Sequence, residues 1–140
     1  MKKQLFILPL ILLVLTTLNV FGQKKDTSGK SNDKYLIKAE VMPEPVGGIS
    51  AIQKRVVYPE IARRAGIEGK VFVQAFIDEK GDVIKTKIIK GIGSGCDESA
   101  MKAVKETKFT PAKQEDKLVK VQVVVPVLFK LNKSKIKNSQ

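Results

Sequence analysis

The chain has 140 residues, 43% hydrophobic and 29% charged, with a formal net charge of +12. That balance suits one folded domain with tails and excludes wholesale disorder. With no His, no Trp and the single Cys96, it excludes an internal disulfide, a Cys-rich zinc site and the Ser-His-Asp and Cys-His arrangements of nucleophilic catalysis.

Residues 1–22 read as an export signal. Lys2 and Lys3 form a positive start, Leu5 to Leu15 carries no polar side chain, and Val20-Phe21-Gly22 offers a cleavage site before Gln23. The competing reading is an uncleaved anchor, because Leu5 to Phe21 reaches the short limit for crossing a bilayer. Residues 23–40 form the next segment. Its first part, QKKDTSGKSNDK, is polar and lacks large apolar groups, which predicts a flexible linker. Tyr35, Leu36 and Ile37 are too few to define an element. Pro43, Pro45, Gly47 and Gly48 mark an irregular entry to a domain spanning 41–132, with its boundary near Glu40.

Within that domain, apolar residues at Ile49, Ile52 and Val56 have helical spacing, predicting a short helix over Ile49–Val57. Tyr58-Pro59 starts a second, over Glu60 to Ala65, which Gly66 ends in the left-handed conformation. Lys70 to Asp78 alternates Val71, Val73, Ala75 and Ile77 with Phe72 and Phe76, a strand pattern. A tight turn at Asp78-Glu79-Lys80-Gly81 returns it as Asp82 to Lys90. The GIGSG run from Gly91 to Gly95 lacks the Gly-Lys-Ser/Thr of a phosphate loop, and it follows a hairpin instead of opening a parallel βαβ unit. Ser94 and Asp97 fit a capping box for a third helix running to about Thr107. Cys96, Ala100, Ala103, Val104 and Thr107 share one side of that helix. Cys96 therefore reads as a small buried hydrophobe, not as a nucleophile.

Lys113 to Lys117 reads as a polar loop. Leu118 to Leu131 is the longest extended run, with every odd position apolar. Pro126 has no N–H, which places the run at a sheet edge or a bulge. On a regular edge, the main chains of Val124, Leu128 and Lys130 point outward with Pro126, and those of Val125, Val127 and Phe129 bond inward. The order of elements predicts an α+β domain: an antiparallel sheet of about three strands with helices packed on one face. Residues 133–140 form a basic tail. The lysines are spread along the chain without an Arg-rich, aromatic-interleaved stripe, so nucleic acid is not an expected partner.

Tyr58-Pro59, Ala62-x-x-Ala65-Gly66-Ile67-x-Gly69-x-Val71, Asp78-x-x-Gly81-x-Val83, Gly95-Cys96-Asp97-x-x-Ala100, Phe109-x-Pro111-Ala112 and the Val-rich strand ending Phe129-Lys130-Leu131 together resemble the TonB C-terminal domain family. The resemblance covers about residues 41–132. It implies a non-enzymatic periplasmic domain, without cofactor or metal, that contacts outer-membrane TonB-dependent transporters in energy-coupled transport. In that family the long last strand takes up a transporter's N-terminal box by strand addition. The partner-binding residues it implies are Tyr58, Pro59, Val124, Pro126, Leu128 and Lys130. If the N-terminus stays in the inner membrane, motor proteins there are further implied partners. The chain departs from the full-length pattern: it lacks the His of the family's membrane helix and the long Pro/Lys-rich spacer. Its linker, residues 23–40, spans at most roughly 60–65 Å when fully extended. A second reading is therefore a soluble periplasmic adaptor of the same fold, binding another protein or a cell-wall component without transducing energy.

Overall fold

The computed structural model describes residues 34–132. The expected export signal or anchor, residues 23–33 of the expected linker and the basic tail lie outside the described residues. Among the described residues, no helix is long and apolar enough to cross a membrane.

Two short helices come first, α1 (Ile49–Arg55) and α2 (Glu60–Arg64). They lead into β1 (Gly69–Ile77), β2 (Val83–Lys90) and α3 (Cys96–Lys105). The last described elements are β3 (Ala112–Gln114), β4 (Lys117–Val119) and β5 (Val121–Phe129). The main sheet is antiparallel, in the order β2-β1-β5. The period of two in β1 decides which face is covered. Val71, Val73, Ala75 and Ile77 are buried, while Phe72, Gln74 and Phe76 are half-buried on the opposite face. The covered face continues across β5 through Val121, Val125, Val127 and Phe129. α3 packs on it over β1 and β2, and α1 packs against β5. α3 contributes Cys96, Ala100, Ala103 and Val104, whose mostly small side chains let helix and sheet approach closely. The expected α+β layering is therefore present.

Gly66 sits at φ +69, and the Ile67 N–H reaches back to the Ala62 carbonyl at 2.9 Å, closing α2 as expected. At the hairpin, Asp78 Oδ1 accepts from the N–H groups of Lys80 and Asp82, both at 2.9 Å, and Gly81 takes φ +84. Three local expectations change. α1 is shorter than the apolar spacing predicts and buries only Ile52, leaving Ile49 50% exposed. Gly95 is the N-cap of α3, and no side chain caps the helix. Asp97 points backward instead, its Oδ1 accepting from the N–H groups of Ile92 (2.8 Å) and Gly93 (3.3 Å), so the carboxylate pins the glycine loop. The long extended run also divides at Lys120. β4 folds back on β3 through Glu115 and Asp116, both at positive φ (50° and 59°), so the expected polar loop is a tight hairpin.

The residues ahead of α1 form a strap laid over the C-terminal third. Leu36 bridges Val121 in parallel, Val41 bridges Lys113, and Pro45 bridges Phe109. Glu40 clasps the β3–β4 hairpin, its carboxylate accepting from the Gln114 side chain and the Glu115 N–H at 3.2 Å each. Ala39 is buried in the core, and the Tyr35 ring meets Phe76 edge-on at 5.2 Å.

Candidate functional site: the outer edge of the last strand

The main sheet has two edges, and they differ. β2 carries register shifts near both ends, at Phe72/Val73 and at Phe76/Ile77, and presents Lys85, Lys87 and Lys90. Bulges and lysines are the usual means of discouraging a further strand. β5 has neither. Its register with β1 runs unbroken from Gly69↔Phe129 to Ile77↔Val121, and the strand contains no charged residue.

Unbroken register fixes the direction of each main-chain group on β5, and two contacts show it. The Gln122 N–H donates to the Leu36 carbonyl and the Leu36 N–H to the Lys120 carbonyl, both at 2.9 Å. The Leu128 N–H and carbonyl are both engaged by the side chain of Gln53 on α1. Even-numbered residues therefore face outward. Pro126 lies opposite Phe72 at one of these positions, where its missing N–H costs the sheet nothing. Val124, Pro126 and Leu128 thus line one edge, with exposed Lys130 directly after it. Val124 and Leu128 are 53% and 44% exposed.

Beside this edge lies a groove of about 540 Å³, lined by Ile49, Ser50, Gln53, Lys54, Lys70, Pro126 and Leu128. Ile49, Pro126 and Leu128 supply apolar surface, and Lys54 and Lys70 supply positive charge. Sequence reasoning missed the α1 side of this groove. The available signal was Ile49, an apolar residue on a helix too short to bury all its apolar positions.

Tyr58 and Pro59 sit apart from the groove. The Tyr58 ring meets Phe129 edge-on at 5.4 Å, and its hydroxyl donates to the Ile67 carbonyl. Burial raises its phenol above the ordinary value, with the Cys96 and Glu68 charges adding to the shift. Tyr58 thus braces the end of β5. Pro59 caps α2 and lines a separate cleft with Val57, Ser99 and Lys102. Cys96 is fully buried, and its thiol is raised by burial and then by Asp97 and Glu98, which makes it a poor nucleophile. Among the described residues, no group of three His, Cys, Asp or Glu side chains is placed to hold a metal ion.

Residues 54–131 match the family model described as the Gram-negative bacterial TonB protein C-terminal. The Vibrio cholerae protein TonB is 37% identical over 75 residues, covering 53% of this chain and 31% of that protein. Pseudomonas aeruginosa protein tonB2 is 40% identical over 76 residues, covering 54% of this chain and 28% of that protein. The chain thus spans about a third of the length of these relatives. Among solved structures, the Pseudomonas aeruginosa TonB C-terminal domain aligns with a TM-score of 0.49 at 25% identity, covering 74% of this chain and 98% of that one. A Helicobacter pylori TonB C-terminal domain aligns with a TM-score of 0.45 at 26% identity, covering 61% and 90%.

Proposed function

Because the chain belongs to the TonB C-terminal family, we propose that residues 41–132 form a periplasmic domain that captures the N-terminal segment of an outer-membrane TonB-dependent transporter, serving energy-coupled transport. Capture proceeds by strand addition to the outer edge of β5. The observation that carries this reading is the unbulged, uncharged β5 edge, with an apolar groove alongside it. An extended peptide would pair its main chain with the outward groups of Val124, Pro126, Leu128 and Lys130, and seat an alternate side chain between Ile49 and Leu128. Tyr58 would support that contact from behind the strand through Phe129, and Pro59 would act only through its place beside Tyr58 at the start of α2. Lys54 and Lys70 favour peptides carrying negative charge. The role is one of binding, with no catalytic step.

The test is a titration of the domain with a peptide from a transporter's N-terminal segment, followed by amide spectroscopy. The Val124 and Leu128 amides should shift first, and the Val124 amide should gain protection from exchange. Shifts confined to β2 would put capture at the opposite edge and overturn the reading.

A further inference from the structure

We propose that Gln53 is a placeholder on the β5 edge, standing in for one residue of the added strand while the edge is empty, so that a strand passing Leu128 must displace it. The proposal rests on the strand-capture reading above. Gln53 Nε2 donates to the Leu128 carbonyl at 2.6 Å, and Gln53 Oε1 accepts from the Leu128 N–H at 3.3 Å. In an antiparallel ladder, one residue of a hydrogen-bonded pair exchanges both bonds with the residue opposite. The carboxamide of Gln53 reproduces that exchange from the neighbouring helix.

The other end of the edge is covered as well, because Leu36 holds the Lys120 carbonyl and the Gln122 N–H. Between these two covers the outward groups are the carbonyl of Gln122, the N–H and carbonyl of Val124 and the carbonyl of Pro126. A strand confined to that window finds one donor and three acceptors. A longer strand must displace the Gln53 amide. That displacement is easy to arrange, since Gln53 is exposed and Ile52 is the only buried residue of α1. A peptide residue with a free N–H and carbonyl opposite Leu128 replaces both lost bonds. A proline at that place can accept from the Leu128 N–H but gives the Leu128 carbonyl no donor, and a peptide that stops short replaces neither bond and leaves Gln53 seated. The contact therefore disfavours a proline opposite Leu128 and narrows the advantage of a long segment over a short one, independently of the side chains in the groove.

Two peptides from a transporter's N-terminal segment serve as probes, one passing Leu128 and one cut before it. They are titrated against the full wild-type chain, Gln53→Ala and Gln53→Met, the last keeping the stem but not the amide. The preference for the long over the short peptide should rise about three- to tenfold in both variants, as expected for removing two exposed hydrogen bonds that must otherwise be broken. In the free proteins, the Leu128 amide should exchange severalfold faster in both variants than in the wild type. An unchanged long-to-short ratio, a reduced ratio, or unchanged Leu128 exchange overturns the role of Gln53. Failure of the full wild-type chain to bind either peptide overturns strand capture itself, and Leu128 exchange then still reports whether Gln53 covers the edge.

Discussion

Tyr58 shows how one side chain serves both packing and polarity. Its ring rests on Phe129, while its hydroxyl satisfies the Ile67 carbonyl in the loop between α2 and β1. Burial holds its phenol above the ordinary value, so the folded state keeps the proton longer than the unfolded chain. The stability this contributes is complete below the unfolded phenol value of about 10 and is lost as pH rises through the folded value. Melting temperatures measured from neutral to strongly alkaline pH should therefore fall more steeply for wild type than for Tyr58→Phe. At neutral pH that variant should cost about 1 kcal/mol, one hydrogen bond with the ring contact kept. Parallel alkaline slopes for the two proteins would show that Tyr58 does not carry this dependence. At the same scale, Asp97 marks where residue-level reading failed. The spacing Ser94-x-x-Asp97 suggested a capping box, yet Ser94 lies at φ +55 and Asp97 turns to the N–H groups of Ile92 and Gly93. A carboxylate three residues beyond a Ser can serve either the helix or the loop before it, and sequence spacing does not tell them apart.

At the level of the element, β5 was the most legible part of the chain. Odd positions that are all apolar, and one proline at an even position, contain both its buried face and the direction of its main chain. That inference needed a regular register, which the unbroken β1–β5 pairing supplies. The start of the run was misjudged for a physical reason. Glu115-Asp116 makes a tight turn with two positive φ values and no glycine, helped by the Glu40 carboxylate holding the Glu115 N–H. A turn supported from 75 residues away leaves no local signal. The parity of β5 separates two substitutions. Val127→Pro removes an inward N–H and a fully buried side chain, so the melt should drop by well over about 3 kcal/mol of stability. Val124→Pro removes only an outward N–H at an exposed position. Its melt should stay close to wild type while affinity for a transporter peptide falls about fivefold, one hydrogen bond's worth. Equal melts for the two variants would mean the edge does not have this parity.

On the scale of the whole molecule, charge is the conspicuous imbalance. The chain carries +12, and the three ion pairs described, Glu60 with Arg63 and Arg64 and Asp82 with Lys108, are all largely exposed. Exposed pairs contribute at most about 1 kcal/mol each. The strands β1, β2 and β5 contain Lys70, Lys85, Lys87 and Lys90 and no carboxylate. Net repulsion follows, and salt screens it. Raising ionic strength from about 0.01 M to about 0.15 M, which shortens the Debye length from about 30 Å to about 8 Å, should raise the melting temperature by a few degrees. A fall would show that attractive pairs dominate. The global layering was readable because the hydrophobic period changes from helical to alternating along the chain. The groove was not, because it forms only where α1 and β5 meet, with Gln53 and Leu128 75 residues apart.

The strap has a consequence for the order in which the protein assembles. Its side-chain partners lie 66 to 75 residues further along: Thr110 for Glu44, Gln114 and Glu115 for Glu40. Leu36 waits for Val121, a residue of the final strand. Contacts between such distant positions require large loops to close first, which slows their formation. Synthesis runs from the N-terminus, so the strap leaves the ribosome before any of these partners exists. Its segment can dock only after the hairpin and β5 have been made. The earliest described residues to be synthesised are therefore among the last to find their place.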